Sequence, residues 1–330
     1  MTLTFAYPVG DHDLERRLSE RLEIVEQMLR ESVKSHYPLV TETSQHLVLA
    51  GGKRFRPTLV LLAAEFGDWQ STEVLQAAVV VELTHLATLY HDDVMDEATL
   101  RRGVPSANSR WDNTVAILSG DFLFSRASNI LADLGPEAVR LQARTFERLV
   151  IGQIKESVGP GSGVDPVVHH IEVLEDKTGS LIATSGRFGA MFAGCDEAIV
   201  ETLTLFGERI GVAFQLADDL VDLTSDGSQS GKTQGRDLRE GVQTLPALLA
   251  LGSHDPADGR LQALLSGPLP DDGDHAEALG LLLSHRAVDQ ARAEARRWAD
   301  AARQTLAPLP EIPARAALER LCDFVVTRTA

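Results

Sequence analysis

An all-α architecture is indicated by three features of this 330-residue sequence. Apolar residues recur at three- and four-residue spacing from Leu14 almost to the C-terminus, which is the period of a helix face. Ala and Leu abound while aromatic residues make up only 5% of the chain, a balance that favours helix over sheet. No apolar–polar alternation runs long enough to build a sheet, and neither a GxGxxG nor a P-loop pattern occurs.

Each segment has its own signature. Leu14, Leu18, Leu22, Val25 and Leu29 trace the stripe of a first amphipathic helix. Gly51-Gly52 ends one helix, and Pro57 is expected to start the next. The stretches 76–98 and 203–223 are apolar on nearly every side, as helices in the middle of a large bundle are. Gly103 and Pro105 break the chain after the first of these, and Gly159 to Pro166 reads as a flexible loop. Gly227 to Gly235 follows the second. The polar span from Gly252 to Asp274 is the expected mobile connection, with helices on both sides. Residues 287–306, rich in Ala and Arg, read as an outer helix, and Pro313 opens the last one. The expectation is a single all-helical domain over 1–330.

Composition narrows the function classes. Apolar content of 44% and charged content of 24% are ordinary for a globular protein. A formal net charge of −17 argues against a nucleic-acid surface and makes local basic clusters informative. The first 20 residues make no signal peptide, and no charge-free apolar run approaches the roughly 20 residues of a membrane span. A cytoplasmic protein with no transmembrane segment is therefore expected. Cys195 and Cys322 form neither a disulfide framework nor a CxxC metal spacing, and read as small core residues.

The chemistry is carried by two aspartate clusters of one spacing, Asp92-Asp93-Val94-Met95-Asp96 and Asp218-Asp219-Leu220-Val221-Asp222. On a helix, residues i and i+4 share a face. Asp92 pairs in this way with Asp96, and Asp218 with Asp222. Like charges so placed oppose the helix by a few tenths of a kcal/mol or so, and burial raises the cost. A hard cation resolves the conflict, and Mg²⁺ prefers one or two carboxylates together with waters and substrate phosphate oxygens. One DDxxD alone is often a solvated helix end, but a second copy in an apolar setting is hard to explain structurally. Two such sets facing one another would clamp a diphosphate.

Basic residues stand near them. Lys53 and Arg56 lie in Gly-Gly-Lys-Arg-Phe-Arg-Pro, before a helix whose N-terminal N–H groups would favour an anion. Arg101-Arg102 follow the first aspartate set, while Lys177-Thr178 and Lys232 accompany the second. Glu82-x-x-His85 is half of a di-iron carboxylate motif, but the second half is missing from the sequence.

Six stretches in order resemble the trans-isoprenyl diphosphate synthases, or polyprenyl synthetases: residues 51–57 (GGKRFRP), 85–103 (HLATLYHDDVMDEATLRRG), 120–127 (GDFLFSRA), 175–185 (EDKTGSLIATS), 214–222 (FQLADDLVD) and 231–246 (GKTQGRDLREGVQTLP). The resemblance implies a bundle of mostly antiparallel helices around a central cavity, usually homodimeric. It implies Mg²⁺-dependent head-to-tail 1'-4 condensation of isopentenyl diphosphate with an allylic diphosphate. Three Mg²⁺ ions would be held by Asp92 and Asp96 on one wall and by Asp218, with Asp219 and Asp222, on the other. Asp93 would orient ligands or pair with an arginine. Lys53, Arg56, His85 and Arg102 match positions that hold the isopentenyl diphosphate; Arg101, Lys177 and Lys232 match those for the allylic diphosphate. Thr178 and Gln215 would lie beside the reacting carbons. One departure is Val242, where many members carry a lysine before Thr-Leu-Pro.

Product length is implied by the residues four and five positions before Asp92, which close the tunnel in short-chain members when bulky. Here they are Thr88 and Ala87, about 6–8 Å before Asp92 along the helix. Both are small, which favours a product of about C30 or longer, with a quinone side chain as its expected destination and Phe124 or Tyr90 as a floor. A farnesyl or geranylgeranyl diphosphate synthase is the alternative. A class I terpene cyclase would normally carry an Asn/Ser/Glu metal triad in place of the second DDxxD. A non-catalytic partner subunit would have no need of both aspartate sets.

Overall fold

Helices carry nearly the whole of the described chain, which in this computed structural model comprises residues 9–224 and 234–327. They are α1 (His12–Ser32), α2 (Pro38–Leu49), α3 (Phe55–Ala64), α4 (Thr72–Met95), α5 (Ala107–Arg110), α6 (Asn113–Leu134), α7 (Pro136–Val158), α8 (Pro166–Leu174), α9 (Ser180–Phe192) and α10 (Glu197–Thr224). Past the undescribed 225–233 come α11 (Arg236–Glu240), α12 (Leu245–Leu251), α13 (Gly259–Leu264), α14 (Asp272–Leu283), α15 (Arg286–Thr305) and α16 (Pro313–Thr327). The all-α expectation holds. Among the described residues the only sheet is a two-residue hairpin, β1 (Leu100–Arg101) against β2 (Val104–Pro105).

The chain divides into two compact units. The first comprises 1–146, 181–205 and 308–320; the second comprises 147–180, 206–307 and 321–330. In the first, α4 packs against α1, α3 and α6. It is apolar around its circumference, burying Val74, Ala77, Val81, Leu83, Leu86 and Ala87 among others, which is why it sits inside. It has the length and hydropathy of a membrane span, but 61% of its most apolar window is buried in the structure, so packing accounts for its apolarity. The stripe predicted for α1 is buried throughout: Leu14, Leu18, Leu22, Val25 and Leu29.

The second unit is built on a leucine core from α10, α12 and α13, including Leu216, Leu220, Leu245, Leu261 and Leu264. Onto it α15 lays the small-residue face Ala287, Ala291 and Ala295, an outer helix as expected. Two sequence expectations need correction. The span 252–274 is folded, holding a 3₁₀ turn at Pro256–Asp258 and then α13, because Leu261, Leu264, Leu265 and Leu269 recur at helical and turn spacing and are buried. Helix α3 opens at Phe55, not Pro57, after Arg54 adopts the left-handed conformation at φ 45°. Proline then occupies the third helical position, where its missing N–H still costs nothing.

Candidate active site

The first aspartate set closes α4. The Asp96 N–H donates to the Asp92 carbonyl at 2.8 Å, so the last turn stays helical up to the cap. The three carboxylates differ in setting. Asp93 is wholly buried, Asp92 is half-buried, and Asp96 is 48% exposed at its side chain. Arg101 Nε donates to Asp93 Oδ1 at 2.6 Å, and Arg101 Nη2 stands 4.0 Å from Asp96 Oδ2. Burial raises the Asp93 carboxyl above the usual aspartate range, and Arg101 pulls it back down. Arg101 sits on the small hairpin, whose turn places Arg102 at φ 54° and Gly103 at φ 77°, the pair of positive φ values of a type I′ turn.

That turn sends Arg102 toward the loop after α2. Arg102 Nη1 donates to the Leu47 carbonyl at 3.1 Å and to that of Gly51, while Nη2 stands 3.6 Å from the buried Glu82. Arg54 lies on the same acid. Its Nη1 donates to Glu82 Oε1 at 2.8 Å, and its other nitrogens reach Glu26 of α1. Of the basic run 53–56, then, Arg54 turns inward and Lys53 is exposed. Arg56 has an Nε that is buried without a hydrogen-bond partner, the orphaned donor expected where an anion is to arrive. Burial first, then Arg102, lower its guanidinium to about 10 against the opposing pull of Glu82.

Glu82, committed to arginines, does not form half of a metal pair with His85. Burial holds His85 well below the usual histidine range, reinforced by Arg56, Arg102, Arg101 and Arg54. The ring is therefore neutral at pH 7. In the unfolded chain it protonates near 6.5, so this residue's contribution to stability is complete above about pH 6.5 and is lost as pH falls below it. His85→Gln is expected to flatten the fall of Tm with acidification in that range, measured by thermal denaturation across pH.

The second aspartate set lies on α10, with Asp219 buried and Asp218 and Asp222 half-buried. Facing it is a feature periodicity did not reveal. Residues Glu175–Gly179 form a π-helical turn between α8 and α9, and single π turns gather at functional sites. The Thr178 hydroxyl donates to Gln215 Oε1 at 3.3 Å, and Gln215 Nε2 donates to Asp219 Oδ1 at 3.1 Å. Lys177 pairs with Glu156 of α7. Its neighbour Asp176 accepts from Arg148 at 3.0 Å and Lys155 at 3.1 Å. His170 Nε2 stands 3.6 Å from Asp219 Oδ2.

Asp222 Oδ2 accepts the Asp237 N–H at 3.1 Å. The Asp237 carboxyl is pushed up to about 7 by burial, then by Asp222 and Asp219. Such a concentration of buried and half-buried acid suits a hard divalent cation, so the donor set fits Mg²⁺. Among the described residues no three His, Cys, Asp or Glu side chains converge as a ready-made metal cage, as expected of an ion that draws most of its ligands from water and phosphate. Sequence reasoning did not single out Arg148, His170 or Asp237; Asp237 lay in a matched stretch, but the other two carried no spacing signal. Lys232 falls outside the described residues. Val242 is exposed, its N–H bonded to the Asp237 carbonyl at 2.8 Å.

The residues expected to govern product length lie on α4. Ala87 is buried and its carbonyl faces Gly120 of α6, while Thr88 bonds its hydroxyl back to the His85 carbonyl at 2.8 Å. Phe124, one turn beyond Gly120, packs at a tilt against Phe146 with ring centres 4.3 Å apart. Tyr90 points elsewhere. It is wholly buried, and its hydroxyl bonds to the Thr43 carbonyl and Leu47 N–H of α2.

Comparison with known proteins agrees with this assembly. The polyprenyl synthetase family profile matches residues 37–282. The nonaprenyl diphosphate synthase of Mycobacterium tuberculosis is 44% identical over 328 residues, which cover 99% of this chain and 98% of that protein. Among solved structures, the geranylgeranyl pyrophosphate synthase of Corynebacterium glutamicum, complexed with calcium and isoprenyl diphosphate, is 44% identical. It superposes with a TM-score of 0.88 over 97% of this chain and 99% of that one. The decaprenyl diphosphate synthase of Rhodobacter capsulatus is 33% identical with a TM-score of 0.88, covering 98% of this chain and all of that one. With family profile, full-length relatives and fold in agreement, the chain belongs to the polyprenyl synthetase family and is a prenyltransferase of the trans-polyprenyl diphosphate synthase type.

Proposed function

We propose that the whole chain acts as one synthase domain that condenses isopentenyl diphosphate with an allylic diphosphate, drawing on both aspartate sets. The observation that carries this reading is the cluster of Arg56, Arg102 and neutral His85 close to the aspartates of α4, because cyclisation of a single diphosphate would not need a second anion site. Mg²⁺, three ions in the full complement, would supply the Lewis acid that draws charge onto the departing allylic diphosphate. Asp92 and Asp96, and Asp218 with Asp219 and Asp222, would hold it.

The remaining roles fall to other residues of the chain. Lys53, Arg56 and Arg102 bind the isopentenyl diphosphate by charge-assisted hydrogen bonds, and His85 adds a neutral one. Arg101, poised by Asp93, binds the allylic diphosphate together with Lys177 and Lys232. Thr178 and Gln215 stand by the reacting carbons, where their dipoles stabilise positive charge, the Thr178 hydroxyl being held by its hydrogen bond to Gln215. As the allylic C–O bond breaks, the isopentenyl double bond attacks the cation. The surplus proton then passes to the released diphosphate, the strongest acceptor at hand. The apolar side chains of α4 before Asp92 exclude water that would quench the cation.

Small Ala87 and Thr88 support a medium- or long-chain product. Ala87→Phe is expected to shorten it, because a phenyl ring at that position takes up volume that close packing against α6 cannot return. Incubation of the purified protein with radiolabelled isopentenyl diphosphate, Mg²⁺ and a panel of allylic primers, with sizing of the dephosphorylated products, tests activity, primer and length together. No incorporation with any primer would overturn the reading. An unchanged product ladder for Ala87→Phe would remove that residue from length control. We also propose a cytoplasmic location and a homodimer, the dimer supported by exposed Ile117 and Leu118 on α6; sedimentation that gives a monomer would count against the dimer.

A further inference from the structure

Glu82 has no part in the roles assigned above, yet its surroundings are those of a working group. Its carboxylate is 2% exposed on α4, one turn before His85. It accepts from Arg54 at 2.8 Å and stands 3.6 Å from Arg102. Arg56 lies within its field as well. Three guanidinium groups thus share two carboxylates, Glu82 and the Glu26 partner of Arg54, and one positive charge is left over. Ion pairs so deeply buried gain little stability over apolar packing. An uncompensated buried cation is costly unless an anion joins it.

The same contacts brace the chain. Arg54 Nη2 donates to the Val48 carbonyl at 2.9 Å and Nη1 to that of Gly51 at 3.2 Å. Arg102 donates to the Leu47 and Gly51 carbonyls. Two arginines therefore add side-chain donors to the Leu47 and Val48 carbonyls of α2 and to Gly51 in the loop behind it, beside the backbone cap made by the Ala50 and Gly51 N–H groups. Both have left-handed backbones, φ 45° and 54°, conformations that persist in L-residues only where the surroundings enforce them. Among the described residues Glu82 is the one acid reached by both side chains.

We propose that Glu82, with Arg54 as its strut, is a positioning residue that holds Arg102 and loop 50–56 in the register at which Lys53, Arg56 and Arg102 grip one diphosphate. This rests on the condensation reading above. The sign of one measurement separates positioning from a plain charge effect. If Glu82 only dilutes positive charge, Glu82→Gln exposes more of it and isopentenyl diphosphate binds more tightly. If Glu82 positions, the arginines repel and part, and binding weakens.

The test is calorimetric titration of the full-length protein, in Mg²⁺, with isopentenyl diphosphate and separately with an unreactive allylic thiolodiphosphate. For Glu82→Gln the dissociation constant for isopentenyl diphosphate is expected to rise about tenfold or more, as when one partner of a buried charge pair is removed. The constant for the allylic analogue should stay within about twofold, since that interaction draws on other cations. Glu82→Asp, which keeps the charge one methylene short, should fall between wild type and Glu82→Gln. Unchanged or tighter isopentenyl diphosphate binding, or equal weakening of both ligands, overturns the proposal. Should Glu82→Gln fail to fold, Glu82→Asp and Arg54→Lys are scored by the same comparison. Wild-type protein that binds the allylic analogue but no isopentenyl diphosphate overturns the condensation reading itself.

Discussion

Asp92→Asn is expected to lower the condensation rate by about a thousandfold or more while the protein stays folded. Asparagine keeps the size and one acceptor oxygen but loses the charge that would bind a divalent ion. Without that ion the diphosphate leaves as a far poorer group, an effect worth several kcal/mol in the transition state. The fold should not suffer. Asp92 and Asp96 are like charges one turn apart, and removing one relieves about a few tenths of a kcal/mol. Asp218→Asn should behave in the same way, which would show that both sets serve one reaction. Steady-state rates alongside thermal denaturation check both halves of the expectation. Retention of a tenth of the wild-type rate by either variant would exclude its aspartate from metal binding. Asp93→Asn should differ in kind, since it strips the wholly buried partner of Arg101 and costs stability as well as rate.

The largest effect on stability is expected from Gly189→Ala. A Cβ at Gly189 of α9 would lie 2.2 Å from the Val60 carbonyl oxygen and 2.8 Å from the Ala63 Cβ, both on α3. Backbone atoms cannot turn aside as a flexible side chain can, so the two helices must separate. Overpacking of this kind costs about 2–4 kcal/mol, or roughly a 3–6 °C fall in Tm for a chain of this size. Substrate affinities in the surviving folded fraction should be little altered. A Tm within about 2 °C of wild type would mean that α9 shifts more freely than close packing allows.

How much was legible in advance follows from the range of each signal. Burial is written locally in the leucine spacing of α1 and the largely apolar circumference of α4, so the sequence delimits both helices to within a few residues. The polar-looking 252–274 misled because Pro, Gly and Asp punctuate it while only Leu261, Leu264, Leu265 and Leu269 carry its packing. The DDxxD spacing marks its own chemistry. Nothing in a basic run says which arginine turns inward, because Arg54 is captured by Glu26 and Glu82, each 28 residues away in sequence. The π turn at 175–179 was equally silent, since an added residue leaves composition and apolar period almost untouched.

That turn gives the second aspartate set a structural vulnerability of its own. An extra residue in one turn advances everything after it by on the order of 100° relative to an unbroken α-helix. The aim of Lys177 and Thr178 is thus a matter of phase, separate from their identity. Loss of a single residue near Glu175 would restore regular coiling and leave every reactive side chain in the sequence. It would nonetheless swing the hydroxyl that reaches Gln215 out of line. A relative could thus be silenced by one missing codon while every motif in it still read as intact.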